Sequence, residues 1–236
     1  WYSVTYGDDK FVAVAVTGSN KVMYSTDGVT WSKDGVTGVP DTQWYSVTYG
    51  GGKFVAVGAI GTNRFMYSPD GISWTAAAST GSTNGWISVT YGDGNFVAVA
   101  SGPGDQVAVS TDGNVWATKP ANPAGNSWRS VTYGNGMFVA VANSGTRRAM
   151  YSTNGTNWSN APSIDSALWQ DVTYGGGKFV AVENGTSGKV AYSTDGIQWT
   201  PSEAQISSWS SVIYGGGTFV AVANGGSNSG MWSYTG

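Results

Sequence analysis

The stretch WYSVTYGDDKFVAVA, residues 1–15, decides the fold because it returns at regular intervals along the chain. It reappears as WYSVTYGGGKFVAVG over residues 44–58, and more diverged copies follow every 40 to 43 residues. Self-similarity at a period of about 20 to 50 residues is typical of solenoids, propellers and other repeat arrays. The sequence therefore predicts six repeats, with boundaries at 1–43, 44–85, 86–127, 128–168, 169–208 and 209–236.

Each repeat predicts four short β-strands, which we name A to D in chain order. Strand A resembles SVTYG and strand B resembles FVAVA, and both are rich in β-branched or apolar residues. Strand C resembles VMYS and is followed by a short strand D. Gly, Asn and Asp in the A–B and C–D links adopt positive φ readily, which predicts hairpin turns. A β-helix needs shorter coils, WD40 repeats carry a Gly-His signature that a His-free chain lacks, and a sandwich does not repeat so regularly. The pattern favours an all-β, six-bladed β-propeller with four-stranded antiparallel blades, in one domain over residues 1–236.

A second motif lies at the C–D turn of the first five repeats, for example YSTDGVTW ending at Trp31. Ser25, Asp27, Gly28 and Trp31 resemble a shortened Asp-box, the turn of sialidase-like propellers. The whole repeat is similar to Asp-box repeats of bacterial and phage proteins. In such a turn the acidic side chain accepts hydrogen bonds from nearby backbone N–H groups. This predicts a structural role for one residue in each repeat: Asp27, Asp70, Asp112, Asn154 and Asp195.

The sixth repeat stops in GMWSYTG, before this motif is complete. We therefore expect a truncated last blade of three strands, or one that borrows a fourth. Its edge, with Met231, Trp232 and Tyr234, is a candidate for strand addition by a neighbouring chain or a flanking segment.

The composition argues against most chemistry. The chain has no Cys and no His, which removes thiol nucleophiles, the commonest zinc ligands and the usual general base, so we expect no metal and no cofactor. A net charge of -3 without a basic block argues against nucleic acid, and no apolar run is long enough to insert in a membrane. A sialidase-like glycosidase needs an arginine cluster and a set of acidic residues, but there are only four Arg and two Glu. We expect no enzymatic activity.

Binding remains as a function, and two classes of protein fit. One is a carbohydrate-binding lectin or adhesin, and the other is a structural or protein-interaction component of a virion or surface assembly. Either class places the protein outside a cell, on its surface or on a virion. No signal peptide is visible, and a start at Trp1 indicates a processed form or an excerpt. The variable B–C and D–A loops share one end of the predicted blades and are the expected binding face, because function tends to lie on loops of a rigid scaffold.

Two groups of residues are candidates on that face. The Trp at the head of each strand A either packs between neighbouring repeats or forms a ring of indoles for sugars; these are Trp1, Trp44, Trp86, Trp128, Trp169 and Trp209. Arg129, Asp171 and Glu183 depart from the repeat and are expected to cluster near a channel mouth, as a site or as an ordinary surface ion pair.

Overall fold

The computed structural model describes residues 1–78, 81–102, 104, 106–203, 207–225 and 230–234. Every regular element in this part of the chain is a β-strand. The A strands carry the head Trp or begin just after it: β1 Ser3–Gly7, β4 Trp44–Gly50, β8 Gly85–Gly92, β12 Ser127–Gly134, β16 Trp169–Gly175 and β20 Trp209–Gly215. The B strands are the apolar runs: β2 Lys10–Val14, β5 Lys53–Gly58, β9 Asn95–Ser101, β13 Met137–Ser144, β17 Lys178–Glu183 and β21 Thr218–Ala223.

The outer strands are shorter. The C strands are β3 Val22–Ser25, β6 Phe65–Ser68, β10 Val107–Ser110, β14 Ala149–Ser152, β18 Lys189–Ser193 and β22 Gly230–Tyr234. The D strands are β7 Thr75–Ala76, β11 Ala117–Lys119, β15 Ser159–Asn160 and β19 Thr200–Glu203. In repeat one, strand D is reduced to a bridge between Tyr24 and Ser32, and the described part of repeat six has three strands.

Within every repeat the strands pair antiparallel in chain order, as the hairpin signals predict. In repeat two, Gly50 pairs with Lys53 at the A–B turn, while Trp44 pairs with Gly58 at the opposite end. The C–D turn lies at the A–B end, because Phe54 pairs with Ser68. Each sheet therefore has a turn end, formed by the A–B and C–D turns, and a loop end, where the B–C loop meets the start of strand A.

Strand A carries a β-bulge directly after the head Trp in five repeats. The register shifts between Trp44 and Ser46, for example, and at the matching place in the four later repeats. A bulge re-aims the side chain of the extra residue and is common beside functional sites. The bulge residue is the one that differs most among the repeats: Tyr45, Ile87, Arg129, Gln170 and Ser210.

The chain divides into two compact units. One holds Trp1–Ser101 and Asp105–Lys119, and the other holds Gly102–Gly104 and Pro120–Gly236. Within each unit, the core repeats one arrangement. Strand-B valines of one repeat pack against the head Trp and a strand-A Val of the next, as Val12 and Val14 do against Trp44 and Val47. Side chains that alternate along strand B thus serve two neighbouring interfaces, which is why the whole FVAV run is buried.

The C–D turns form the hydrogen bonds that the sequence predicts. Asp70 Oδ1 accepts the N–H groups of Ile72 and Ser73 at 2.8 and 2.7 Å, and Ser68 Oγ accepts the Gly71 N–H at 2.8 Å. Gly71 has a φ of 74°, a conformation that favours glycine. The Trp74 indole N–H closes the turn onto the Gly71 carbonyl at 3.1 Å. The same carboxylate or amide oxygen accepts two N–H groups at the other four turns, at Asp27, Asp112, Asn154 and Asp195. All five side chains thus accept backbone N–H groups of their own turn.

Candidate functional site

The indole-ring prediction is wrong for five of the six head Trp residues. Trp44, Trp86, Trp128 and Trp209 are fully buried and Trp169 is 2% exposed, so none of them presents a face to a sugar. Trp44 and Trp86 belong to core clusters that join two repeats, and each stands directly before a bulge. Packing, the other interpretation of the sequence, is what these five residues do. Trp1 differs and is 54% exposed.

The expected cluster of Arg129, Asp171 and Glu183 does not form. No hydrogen bond or ion pair joins these three side chains, all of which belong to the described residues. Glu183 is buried and orders its own B–C loop, where its Oε1 accepts the N–H and hydroxyl of Ser187 and the N–H of Lys189. The Nε of Arg129 is buried without a hydrogen-bond partner in the described structure. The three residues therefore have separate environments: Asp171 bonds to neighbouring repeats, Glu183 bonds to its own loop, and Arg129 contacts neither of them.

Asp171 fastens three successive repeats. It stands where the other A strands have Ser, and its Oδ1 accepts the hydroxyl of Ser130 at 2.7 Å. Its Oδ2 accepts the hydroxyl of Ser211 and the N–H of Val212, both at 2.8 Å. Burial raises the pKa of Asp171 even though these hydrogen bonds favour the ionised form. Because both carboxylate oxygens accept hydrogen bonds from neighbouring repeats, Asp171 links the three repeats.

The cationic residues before strand C are also used by the scaffold in repeats two and four. Arg64 Nη1 donates to the Asn84 carbonyl at 2.6 Å, and Arg148 Nη1 donates to the Ala167 carbonyl at 2.6 Å. Each guanidinium therefore ties a B–C loop to the following D–A link. The D–A links themselves lie against the next repeat, as Thr37 does beside Ile72 and Trp74. Because the D–A links contact the next repeat, their sequences are constrained by that contact and not only by ligand binding.

An open cleft lies at the loop end of repeat one. The B–C loop, residues 18–22, forms one wall, and the D–A link, residues 36–41 with Lys33, forms the other, around a volume of about 460 Å³. The corresponding space in repeat two, between residues 62–65 on one side and Ala77, Ala78 and Ser82 on the other, holds about 10 Å³. Arg64 spans that second space, whereas in repeat one the shorter Lys21 pairs with Asp41 at 2.6 Å and leaves the cleft open. The Lys21 ammonium lowers the pKa of Asp41.

The cleft has a polar lining with a surplus of positive charge. Lys21 and Asp41 compensate each other, and Lys33 is exposed at the rim. In the same unit, the side chains of Tyr2 and Tyr45 meet edge to face at 4.8 Å, and Tyr2 is 53% exposed. The sequence signal for the tyrosine pair was the variable residue after the head Trp, whereas no sequence signal indicated the cleft.

The edge of repeat six is formed by strand β22, which pairs with β21 from Gly230 to Tyr234. The side chains of Trp232 and Tyr234 lie outside the described part of the chain, so only the backbone of the predicted interaction edge is seen. Met231 packs partly buried against the core of its repeat. Within the described residues, no group of three or more acidic side chains is placed to hold a metal ion, and no helix of membrane-spanning length and apolarity occurs.

Solved structures share the fold, although no protein-family model and no curated protein matches the chain. A streptogramin B lyase is similar with a TM-score of 0.79 and 13% identity, over 100% of this chain and 83% of that one. YCF48 bound to a D1 peptide is similar with a TM-score of 0.68 and 18% identity, over 94% and 75% of the two chains. A nidogen/laminin complex is similar with a TM-score of 0.61 and 12% identity, over 86% and 80%. YCF48 and the streptogramin lyases are β-propeller proteins, and at these identities the likeness establishes an all-β fold of the propeller type.

Proposed function

We propose that this protein is a non-catalytic binding module whose loop end takes a peptide or protein segment in the cleft of repeat one. The observation that carries the proposal is the open cleft beside Lys33, at a place where repeat two is closed by Arg64. A polar recess of this size between two loops of a rigid scaffold is suited to a ligand. Two similar propeller structures contain a bound peptide or a protein partner.

The charge of the cleft selects among peptides. Lys21 is paired, whereas Lys33 has no ion-pair partner among the described residues, so we expect a segment with at least one carboxylate to bind best. Selection from a random peptide library on the immobilised chain, followed by titration of the enriched peptides, tests this. Lys33→Glu should abolish binding, whereas Lys10→Glu, which makes the same charge change at the turn end of the same sheet, should leave it intact. Enriched peptides that bind both variants equally would contradict the proposal.

Carbohydrate binding is the second candidate, and the observation that favours it is the contact of the exposed Tyr2 with the partly buried Tyr45. Aromatic faces suit the apolar faces of sugar rings, and both rings lie in the same unit as the cleft. A glycan array with the wild-type chain and Tyr45→Ser separates the two candidates. A sugar lost with Tyr45→Ser but retained with Lys33→Glu would favour a lectin.

We further propose that each repeat sheet is one blade, so that the chain contributes six blades of an Asp-box-type propeller. The antiparallel A–B–C pairing in every repeat, with its common register, and the hydrogen bonds of the C–D turns support this assignment. An experimental density map of the purified chain, in which the blades are counted directly, is the test.

A further inference from the structure

A shared contact holds strand D against strand C in repeats two to five. It joins the residue three places before the Ser of the C–D turn to the residue three places after the Trp of that turn. The pairs are Phe65 with Ala77, Val107 with Lys119, Ala149 with Ala161, and Val190 with Ser202. In repeats two and four, the strand-D N–H donates to the strand-C carbonyl at 2.9 and 3.0 Å. Strand D thus covers the outer edge of strand C at this point.

Repeat one lacks this contact, because its chain leaves strand C one step earlier, after the bridge between Tyr24 and Ser32. The matching residues of repeat one are Val22 and Asp34. The Asp34 N–H donates to Ser32 Oγ at 3.0 Å and not to strand C. Gly35 follows with a φ of 74°, a conformation that favours glycine, and turns the chain away.

The outer edge of Val22 therefore has no strand beside it in the described structure. Tyr24 exchanges both backbone hydrogen bonds with Ser32, at 2.9 and 2.8 Å. Backbone groups two residues apart in a strand point to the same side, so the N–H and C=O of Val22 also point outward. The side chain of Val22 lies in the core, and the residue lines the open cleft of repeat one. An unpaired backbone edge of this kind is a template for another strand.

We propose that the ligand of this cleft is an extended peptide segment that pairs with Val22 as a replacement for the missing part of strand D. This pairing presupposes the proposed function and specifies how the peptide is held. One peptide residue takes the place that Ala77 has in repeat two, and its N–H donates to the Val22 carbonyl. Its own carbonyl accepts the Val22 N–H. In strand addition of this type, main-chain hydrogen bonds supply affinity and side chains supply specificity, here through Lys33 at the rim.

The pairing places two demands on the peptide. The residue opposite Val22 needs a free N–H, which excludes Pro at that position. Successive N–H groups of an extended chain point to opposite sides, so the two neighbouring peptide amides do not reach Val22. A peptide that is held by its side chains alone meets neither demand.

Ester replacement along the peptides enriched by the library selection tests the first side of the pairing. Each ester removes one backbone N–H and keeps every side chain. We expect one internal position to lose about five- to tenfold in affinity, because one hydrogen bond is lost, while its two neighbours keep the affinity of the parent peptide. The enriched peptides should also lack Pro at the sensitive position. Equal affinity for all ester variants would overturn the pairing.

The Val22 amide proton, observed by NMR in the wild-type chain, tests the protein side. With saturating peptide we expect its resonance to move downfield and to depend less on temperature, as for a newly formed hydrogen bond. Tyr24 is the matched control, because its N–H is already bonded to Ser32 and should keep both values. A Val22 resonance that behaves like the control would overturn the pairing.

Failure of the pairing is distinguishable from failure of the proposed function. Peptides that require Lys33 but tolerate every ester and leave the Val22 resonance unchanged would show a ligand held by its side chains, and only the pairing would be overturned. If no peptide is enriched, or if the enriched peptides bind Lys33→Glu and Lys10→Glu equally, the proposed function fails and the pairing with it. The same holds if a glycan, and no peptide, occupies the cleft.

Discussion

At the scale of single residues, the C–D turns depend on one acceptor atom in each repeat. Asp70 Oδ1 and Asn154 Oδ1 each accept two backbone N–H groups, so the acceptor oxygen matters more than the charge. Asp70→Ala leaves these N–H groups without their acceptor, and we expect a loss of about 1 to 3 kcal/mol in the free energy of unfolding. Asp70→Asn should cost less, because repeat four folds with that amide. Urea denaturation of both variants measures the difference, and equal losses would contradict this account.

The same pair of variants carries a pH prediction. Burial raises the pKa of Asp70, but the hydrogen bonds from Ser73 and Ile72 outweigh it, and the pKa lies below the ordinary value of 3.8. The ionised side chain therefore contributes stability above that value, and this contribution is lost as the pH falls through the pKa of the folded state. The stability difference between wild type and Asp70→Asn should shrink on acidification below pH 3.8. A difference that is constant with pH would show that the charge has no role.

Asp171 should respond in the opposite direction. Burial raises its pKa, so the folded state favours the protonated form, and stability falls as the pH rises from the unfolded value of 3.8 through the folded pKa. Asp171→Ser restores the residue of the other repeats and removes this titration. We expect the variant to gain stability relative to wild type as the pH is raised, measured by urea denaturation at a series of pH values. Parallel curves for the two proteins would refute the prediction.

At the scale of elements, the A–B hairpin and strand C follow from local sequence, but the bulge does not. Apolar runs and Gly-rich turns determine the pairing of β1 with β2 and its equivalents, so those strands could be predicted. The bulge after Trp44 accompanies burial of the indole against the neighbouring repeat, whose Val12 and Val14 lie about thirty residues away, and no short sequence window contains that contact. For that reason the sequence offered two interpretations of the head Trp.

The contact of strand-A Gly with the next strand A gives a prediction with an internal control. A Cβ at Gly134 would overlap the Tyr174 ring, whereas one at Gly215 meets nothing within 4 Å. Gly134→Ala should therefore lower the free energy of unfolding by about 1 to 3 kcal/mol, as overpacking does in cores. Gly215→Ala should change it by no more than about 0.5 kcal/mol, the usual range for surface substitutions. Thermal and urea denaturation of both variants at low protein concentration provide the measurement.

At the scale of the whole molecule, charged side chains are scarce, and most of those that depart from the repeat already form hydrogen bonds within the protein. Glu183 orders a B–C loop, Asp171 joins three repeats, and Arg64 and Arg148 cap carbonyl groups. The sequence showed that these residues break the pattern but not which groups they contact, since loop geometry decides that. The cleft could not be predicted at all, because it depends on Lys21 reaching less far than Arg64.

A prediction about catalysis belongs to this scale. We expect no turnover of aryl-glycosides or sialyl-lactose, because the buried Glu183 is held by Ser187 and Lys189 and no second carboxylate contacts it in the described structure. Glu183→Gln should lower thermal stability and leave the substrate panel unchanged. Activity that disappears in this variant would establish an enzyme.

The repeat interface also bears on how such a chain changes over generations. Because the contact between repeats one and two is the contact between repeats five and six, a recombination event between two repeats that inserts or deletes a whole unit keeps every remaining interface intact. Gene length can then vary in steps of one repeat without a new core having to evolve. Substitutions at the bulge residues and in the cleft of repeat one leave this interface unchanged, so the number of repeats and the shape of the cleft can change independently.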